Sequence, residues 1–224
     1  MYEAPSRPVH SPSQHAPPMC GRKVQCVEPE KKLPMLSPPE LKRTQQAVGI
    51  FLHYARAQDM TMAVATHDLA AAQSKGNEET MKALVHLLNY AATHPDAKIR
   101  CHRSGMILHV HSDGSYLSID KARSRAGGHY FLSSPINDPS KAKPNGAIHV
   151  LCNILKQVLS SAAETEIASA FYNSREALPL RQVLKFLNHP QPPTPMQVDN
   201  TTAINFINKE LKQKRSKAID MHFY

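Results

Sequence analysis

The spacing of apolar residues divides the chain into a helical part followed by a part that contains strands. Apolar residues recur at the i, i+3, i+4, i+7 spacing of one helix face in two stretches, 48–55 and 81–88. The pair His94-Pro95 closes this region, because a proline disfavours helical backbone at the residue before it. We therefore predict a small helical segment over residues 41–98.

Residues 99–152 show a different pattern, in which short apolar runs alternate with clusters of Gly, Ser, Asn and Pro. Runs of this length between turn-forming residues are typical of β-strands that are joined by loops or hairpins. The predicted strands cover residues 99–102, 106–112, 128–133 and 147–152.

Helical spacing returns after residue 158. The stretch Ser161-Ala-Ala-Glu164 matches a capping box, which gives Glu164 a local role at the start of a helix. Two helices are predicted around 167–171 and 180–187, followed by a short buried strand at 196–198 and a helix over 201–211. This order predicts an α/β fold that has hairpins first and a parallel crossover later.

The first 40 residues differ from the rest of the chain in composition. They contain nine of the 18 prolines, and Ser, Gln and His fill much of the remainder. Such a stretch buries too little apolar surface to offset the loss of chain entropy on folding. We therefore predict a disordered, proline-rich arm over residues 1–40.

The balance of charge indicates a class of partner. The chain carries 27 Lys and Arg against 18 Asp and Glu, a formal net charge of +9, which favours polyanions and nucleic acid first. No apolar run reaches the length of a membrane span, and the four cysteines form no Cys-x-x-Cys pair that would indicate a zinc site or a disulfide framework. The sequence therefore predicts an intracellular protein with no membrane segment.

Three acidic residues occupy special places in the predicted pattern. Asp113 follows the strand at 106–112, Asp199 follows the strand at 196–198, and Glu166 lies inside the helix between them. Strand ends and adjacent helix ends are where α/β sheets bind ligands. Three carboxylates that converge there would repel one another unless a cation neutralised them. Their hard oxygen atoms suit Mg²⁺ or Mn²⁺.

Each of these residues also has a plain structural interpretation. Asp113-Gly114 is a common hairpin turn. Asp199 precedes Asn-Thr-Thr and could cap the following helix. Glu166 could lie on a solvated helix face, although its apolar neighbours favour the side that packs against the sheet. The residues alone leave both interpretations open.

Four motifs in order resemble the ribonuclease H region of copia-type retrotransposon polyproteins. The first resembles the first hairpin of ribonuclease H and reads "SDGSYLS" followed by "GGHYFLS", while the second reads "SSAAETEIASAF" and resembles the "SSTEAEYIAL" helix of those polyproteins. The third reads "PTPMQVDNTTAINFI" and resembles their "PIYCDNQSAI" strand and helix, and the fourth reads "KRSKAIDMHFY" and resembles their "RSKHIDIRYHF" segment. The resemblance covers residues 106–224. It extends more loosely to residue 41, where "VGIFLHYARAQDMTMAV" is similar to the "GKLLYLARTRPDI" segment between polymerase and ribonuclease H.

This resemblance implies an RNase H-like mixed sheet with flanking helices over residues 99–224, preceded at 41–98 by the end of a reverse transcriptase region. It implies endonucleolytic hydrolysis of RNA in RNA–DNA hybrids, with two Mg²⁺ (or Mn²⁺) ions as cofactors. The family carries metal-binding carboxylates at the end of the first strand, in the first helix and at the end of the fourth strand. They correspond here to Asp113, Glu166 and Asp199.

A basic run near the end of the sequence is the expected contact with the backbone of the substrate, because phosphate groups attract Lys and Arg. A solvated loop is the alternative interpretation of this run. Its members are Lys212, Lys214, Arg215 and Lys217.

Two departures from the family limit what the resemblance implies. The family has a fourth metal carboxylate on a helix near its C-terminus, whereas Asp220 matches a segment that precedes the last strand and is given no metal role. The RNase H-like domain is therefore predicted to lack its last strand and helix. No Tyr-x-Asp-Asp motif occurs, which excludes polymerase activity. A non-catalytic nucleic-acid-binding module and an inert retroelement relic are the alternative functions.

Overall fold

The computed structural model describes residues 2–14, 33–119, 123–135 and 143–208. The chain divides into two compact units at the junction between residues 99 and 100. We call them the helical unit and the sheet unit. Within the described residues, every helix is too short or too polar to span a lipid bilayer.

Helices form the core of the helical unit within the described residues, as the apolar spacing predicts. One apolar face of each helix packs against the others, which is how amphipathic helices exclude water from a shared core. The helices are α1 (Pro38–Ala57), α2 (Ala63–Ala72) and α3 (Glu78–Thr93), joined by 3-10 turns at Met60–Met62 and Gln73–Lys75. The buried core consists of Val48, Ala55, Met62, Ala65, Leu69, Leu84, Leu87 and Tyr90.

Helix α1 begins inside the stretch that the sequence assigns to the disordered arm. Ser37 precedes the helix, and its backbone N–H donates to the Glu40 carboxylate at 2.9 Å. Pro38 occupies the first turn, where its missing N–H costs no intrahelical hydrogen bond. The helix therefore starts three residues before the predicted boundary at residue 41.

Residues 2–14 of the proline-rich arm lie along α3. The Tyr2 hydroxyl donates to Asn89 Oδ1 at 2.8 Å, and the Val9 N–H donates to Thr93 Oγ1 at 3.1 Å. Val9 also packs against the core of the helical unit. The structure thus gives these residues defined contacts where composition predicts disorder, because a single apolar side chain and the backbone suffice to anchor an extended segment. Residues 15–32 of the arm lie outside the described residues.

A four-stranded mixed sheet forms the sheet unit, which is therefore an α/β structure as predicted. The strand order is β3-β2-β1-β4, with antiparallel pairing of the first three strands along the chain and parallel pairing of β1 with β4. The predicted order of hairpins followed by a parallel crossover is confirmed. The strands are β1 (Ile107–Ile119), β2 (Arg123–Ser133), β3 (Ala147–Ile154) and β4 (Met196–Gln197).

The predicted strand at 99–102 is wrong. This stretch has no strand partner, and the side chain of Asn145 holds it instead. Asn145 Oδ1 accepts from the His102 N–H at 2.7 Å, and its amide nitrogen donates to the His102 carbonyl at 2.9 Å. An apolar run next to a loop can thus be satisfied by one side-chain amide, which a pattern of hydrophobicity does not reveal.

The prediction of two helices between 161 and 187 is also wrong, because a single helix, α4 (Ala162–Phe186), spans the whole stretch. Pro179 lies inside it without ending it. Ala168 in its first half and Leu184 in its second half belong to the same buried core as strand residues, so packing outweighs the lost backbone hydrogen bond. A short helix, α5 (Thr201–Ile207), follows β4 within the predicted 201–211 stretch.

Helix α4 packs on one face of β1 and β2 at very short range. Its buried apolar partners on the sheet include Leu108, Val110 and Ala126. A Cβ added at Gly114 of β1 would lie 2.9 Å from the backbone C and O atoms of Thr165 in α4. Glycine at this position therefore allows helix and strand backbones to touch.

We predict that Gly114→Ala destabilises the sheet unit by about 1–3 kcal/mol, since the added methyl group meets helix backbone and not a movable side chain. Urea denaturation followed by circular dichroism measures this effect.

The matched control is Gly49→Ala in α1, where nothing lies within 4 Å of the added Cβ. This substitution should raise stability by up to about 1 kcal/mol, because Ala is the better helix former. A Gly114→Ala variant that is as stable as the native chain would contradict the close contact.

Candidate metal centre

The side chains of Asp113, Glu166 and Asp199 meet at one place in the sheet unit. Each offers a carboxylate oxygen, and these oxygens all lie within 4.8 Å of one another. Glu166 is buried, whereas both aspartates are exposed. The arrangement could hold a metal ion, because three hard anionic ligands converge from separate elements. The three acidic residues that the sequence singles out are therefore neighbours in space.

Asp113 lies within β1 and not in a turn. It faces Gly127 of β2 in the ladder, and β1 continues beyond it to Ile119. The hairpin-turn interpretation of Asp113-Gly114 is thus wrong, as is the prediction that the strand ends at residue 112. The glycine at 114 serves the approach of α4 instead of a turn. The carboxylate of Asp113 consequently projects from within a strand whose backbone is paired with β2.

Glu166 is the central group of the cluster. It is only 5% exposed, which excludes the solvated-face interpretation. Its Oε1 accepts a hydrogen bond from the Gly114 N–H at 3.1 Å. Its Oε2 is buried and has no hydrogen-bond partner among the described residues. A buried carboxylate oxygen without a donor is costly, so this atom is a natural ligand for a cation.

The surroundings of Glu166 favour its protonated form when no metal is present. The pKa of Glu166 is raised to about 7, mainly by burial; the charges of Asp199 and Asp113 contribute to the rise, while the hydrogen bond from the Gly114 N–H opposes it. A cation in the cluster would reverse this balance, because it would stabilise the ionised carboxylates.

Asp199 follows β4 and precedes α5. The cap of α5 is its neighbour Asn200, whose side chain accepts from the Ala203 N–H at 3.0 Å. The interpretation of Asp199 as the helix cap is therefore wrong. Val198, which lies between β4 and Asp199, is buried with Ile167 of α4, and this packing holds the chain beside the cluster.

A short parallel pairing holds β4, and with it Asp199, against the edge of β1. Only Val110 and His111 pair with β4. The Gln191 side chain lengthens this contact, since its Oε1 accepts from the Leu108 N–H at 3.0 Å and its Nε2 donates to the Met106 carbonyl at 2.7 Å. The Gln191 side chain thus supplies two hydrogen bonds to the backbone at the start of β1 that a longer β4 would otherwise make.

Glu164 has the local role that the capping motif predicts. The Ser161 hydroxyl accepts from the Glu164 N–H at 3.1 Å, and the Glu164 carboxylate accepts from the Ser160 N–H at 2.7 Å. Both contacts lie at the N-terminus of α4. Glu166, two residues later, is therefore the acidic residue of this helix that reaches the cluster.

A buried polar network behind the cluster was not predicted. It links Ser169 and Asn173 of α4 with Ser112 of β1 and Tyr130 of β2. Ser169 and Asn173 follow Glu166 by three and seven residues, so they lie on the same face of the helix. The sequence does carry a signal for this network, since Ser169 and Asn173 share the helix face of Glu166, which was expected to pack against the sheet.

The remaining predicted site residues lie outside the described residues. They are Lys212, Lys214, Arg215, Lys217 and the unassigned Asp220. The phosphate contacts that the sequence assigns to the four basic residues therefore stay predictions.

We predict that Glu166→Gln changes the pH dependence of stability in metal-free protein. The pKa of Glu166 is about 7 in the folded chain, against an ordinary value of 4.5. The native chain therefore has its full stability below pH 4.5, and the ionisation of Glu166 lowers the free energy of unfolding as the pH rises from 4.5 to about 7. Glutamine removes this loss and keeps the acceptor for Gly114. The variant should equal the native chain well below pH 4.5 and exceed it by about 3 kcal/mol at about pH 8, because each unit of the pKa difference corresponds to about 1.4 kcal/mol.

The measurement is the difference in free energy of unfolding between variant and native chain across this range. A difference cancels the titration of His109, His111 and His129, whose pKa values burial lowers in both proteins. Glu79→Gln on the exposed first turn of α3 is the control and should change stability by less than about 0.5 kcal/mol at every pH. A pH-independent difference for Glu166→Gln would refute the assignment.

Comparisons of the chain with protein-family models, with curated proteins and with solved structures gave no match. The function of the site is therefore inferred from the geometry of the three carboxylates, from the connectivity of the sheet unit and from the motifs in the sequence.

Proposed function

We propose that the sheet unit is an RNase H-like domain that hydrolyses RNA in RNA–DNA hybrids, using divalent ions bound by Asp113, Glu166 and Asp199. The observation that carries the proposal is the Glu166 carboxylate. It is 5% exposed, its Oε2 has no hydrogen-bond partner among the described residues, and the oxygens of two further carboxylates lie within 4.8 Å. Such a group is unfavourable as an anion unless a cation accompanies it.

The connectivity of the sheet unit supports the proposal. Asp113 lies in the first strand, and Glu166 lies in the helix after the third strand. Asp199 follows the fourth strand by two residues. The resemblance to copia-type polyproteins implies carboxylates on these same elements, although Asp113 lies within the first strand and not at its end. β4 pairs in parallel with β1, which brings the last carboxylate beside the first.

The donor set favours Mg²⁺, with Mn²⁺ as its substitute. All three ligands are carboxylates, and hard oxygen ligands select these ions over softer metals. Divalent ions in such a site supply an activated water and neutralise charge on the leaving oxygen of a phosphodiester. The protein positions the three carboxylates, each from a different part of the fold, so that their oxygens lie within 4.8 Å of one another.

Each carboxylate has a distinct part in this arrangement. Glu166 is fixed through Oε1 to the Gly114 N–H and keeps Oε2 available, so it presents one oxygen in a set direction. Asp113 and Asp199 are exposed and form the side of the cluster that solvent and a substrate can reach. An open side next to a buried anchor is what a centre that acts on a large polymer requires.

The charge of the chain agrees with a nucleic-acid substrate. The formal net charge of +9 attracts a polyanion and offsets the repulsion between the acidic cluster and phosphate groups. A hybrid would be recognised mainly by its shape, and its 2′-hydroxyl groups would distinguish the RNA strand from DNA.

We predict that purified chain cleaves the RNA strand of an end-labelled RNA–DNA hybrid in the presence of Mn²⁺ or Mg²⁺. Asp199→Asn should lower the rate at least about 100-fold, because it removes a ligand and not an outer partner of one. Asp96→Asn in the exposed loop after α3 is the matched control and should keep the native rate. Cleavage is measured by gel electrophoresis of the labelled RNA.

A folded sample that shows no cleavage with either ion would contradict the proposal. Binding assays then separate the other functions. A non-catalytic binding module would bind hybrid without metal, and Asp113→Asn would leave its affinity unchanged or raise it by removing repulsion from phosphate. An inert relic would bind neither hybrid nor metal.

A further inference from the structure

Helix α4 holds the peptide group between Asp113 and Gly114 at both ends. The oxygen of this group accepts a hydrogen bond from Ser169 Oγ at 2.6 Å, and its N–H donates to Glu166 Oε1 at 3.1 Å. Ser169 follows Glu166 by three residues, so both side chains leave the same face of the helix. Two side chains on one turn of α4 therefore hydrogen-bond to the two ends of a single peptide group of β1.

We infer that Ser169 is a positioning residue for the metal centre, an inference that rests on the proposed metal binding. The carbonyl carbon of this peptide group is bonded to the Cα of Asp113, so the orientation of the group affects the direction in which the Asp113 side chain leaves the strand. The Glu166 hydrogen bond holds only the N–H end of this group against α4. The second bond, from Ser169, holds its oxygen end against the same helix and so refines the position of the Asp113 carboxylate relative to Glu166.

The Ser169 hydroxyl connects α4 with both strands at the level of the cluster. Asp113 and Gly127 face each other in the ladder, and the hydroxyl lies within hydrogen-bonding distance of both carbonyl oxygens, 2.6 Å for Asp113 and 3.3 Å for Gly127. The ladder pairs these strands over many further residues on either side. The effect of this hydroxyl is therefore concentrated on the local position of Asp113 and adds little to the pairing of the sheet.

A second layer of side chains fixes Ser169. The Asn173 amide nitrogen lies 2.9 Å from Ser112 Oγ, 2.8 Å from the Gly127 carbonyl and 3.0 Å from the Ser169 carbonyl. The Tyr130 hydroxyl donates to Asn173 Oδ1. Ser169 and Asn173 are fully buried, so water does not compete for these bonds. Gly128 makes room for Asn173, because a Cβ there would lie 1.9 Å from Asn173 Oδ1.

The inference is tested by titrating metal-free full-length chain with Mn²⁺ in a calorimeter. Ser169→Ala should weaken Mn²⁺ binding about 10-fold or more, the effect typical of a lost outer-shell hydrogen bond. Ser174→Ala is the matched control, because among the described residues the Ser174 hydroxyl donates to the Ala170 carbonyl of its own helix, and the affinity should stay native. Leu180→Ala, which loosens packing of the same helix against the core, should lower the melting temperature without changing the affinity.

Each outcome bears on one proposal. If the native chain binds no Mn²⁺, or if Asp199→Asn binds it as tightly, the metal centre itself is refuted. If the native chain binds and folded Ser169→Ala binds within twofold of it, only the positioning role is refuted. If Ser169→Ala does not fold, Ser169→Cys fills the site with a somewhat larger side chain that is a much weaker donor. That variant should show the same loss, and native affinity in it would overturn the inference.

Discussion

The direct contact between the backbones of α4 and β1 governs the sheet unit. Because Gly114 has no side chain, the helix comes close enough for Glu166 to reach the backbone of the strand. The same closeness buries the Glu166 carboxylate among apolar and acidic neighbours and raises its pKa. The close approach of α4 to β1 thus accounts both for the compact core and for the free energy needed to ionise Glu166. A wider separation of α4 from β1 would let water reach the Glu166 carboxylate and would lower its pKa toward the ordinary value.

Much of the sheet unit was predictable because hydrophobic runs and turn residues report burial directly. Strands β1 to β3, the short β4 and the helix after Ser161 all correspond to such runs. The three acidic residues stood out because each occupies a boundary or a helix face where a charge has no ordinary reason to lie. Their approach to within 4.8 Å then follows from the parallel pairing of β4 with β1.

Other features depend on tertiary contacts that local pattern cannot report. The Asp113-Gly114 pair reads as a turn, yet Gly114 is required by the packing of α4 and the strand runs on. The apolar positions at 167–171 and 180–187 were interpreted as two helices, yet core residues in both halves keep α4 continuous through Pro179. The polar network around Asn173 was missed because a polar residue in a helix usually faces water, and only the sheet reveals that it does not.

The Gln191 side chain has a consequence that extends beyond the position of Asp199. With β4 only two residues long, the neighbouring part of β1 would otherwise leave its peptide groups open to another chain. The amide of Gln191 occupies the Leu108 N–H and the Met106 carbonyl, while the Arg181 guanidinium donates to the Gln191 carbonyl at 3.0 Å and so ties the segment to α4. A single glutamine therefore serves as a substitute strand, and it protects this end of β1 from edge-to-edge association with a second molecule.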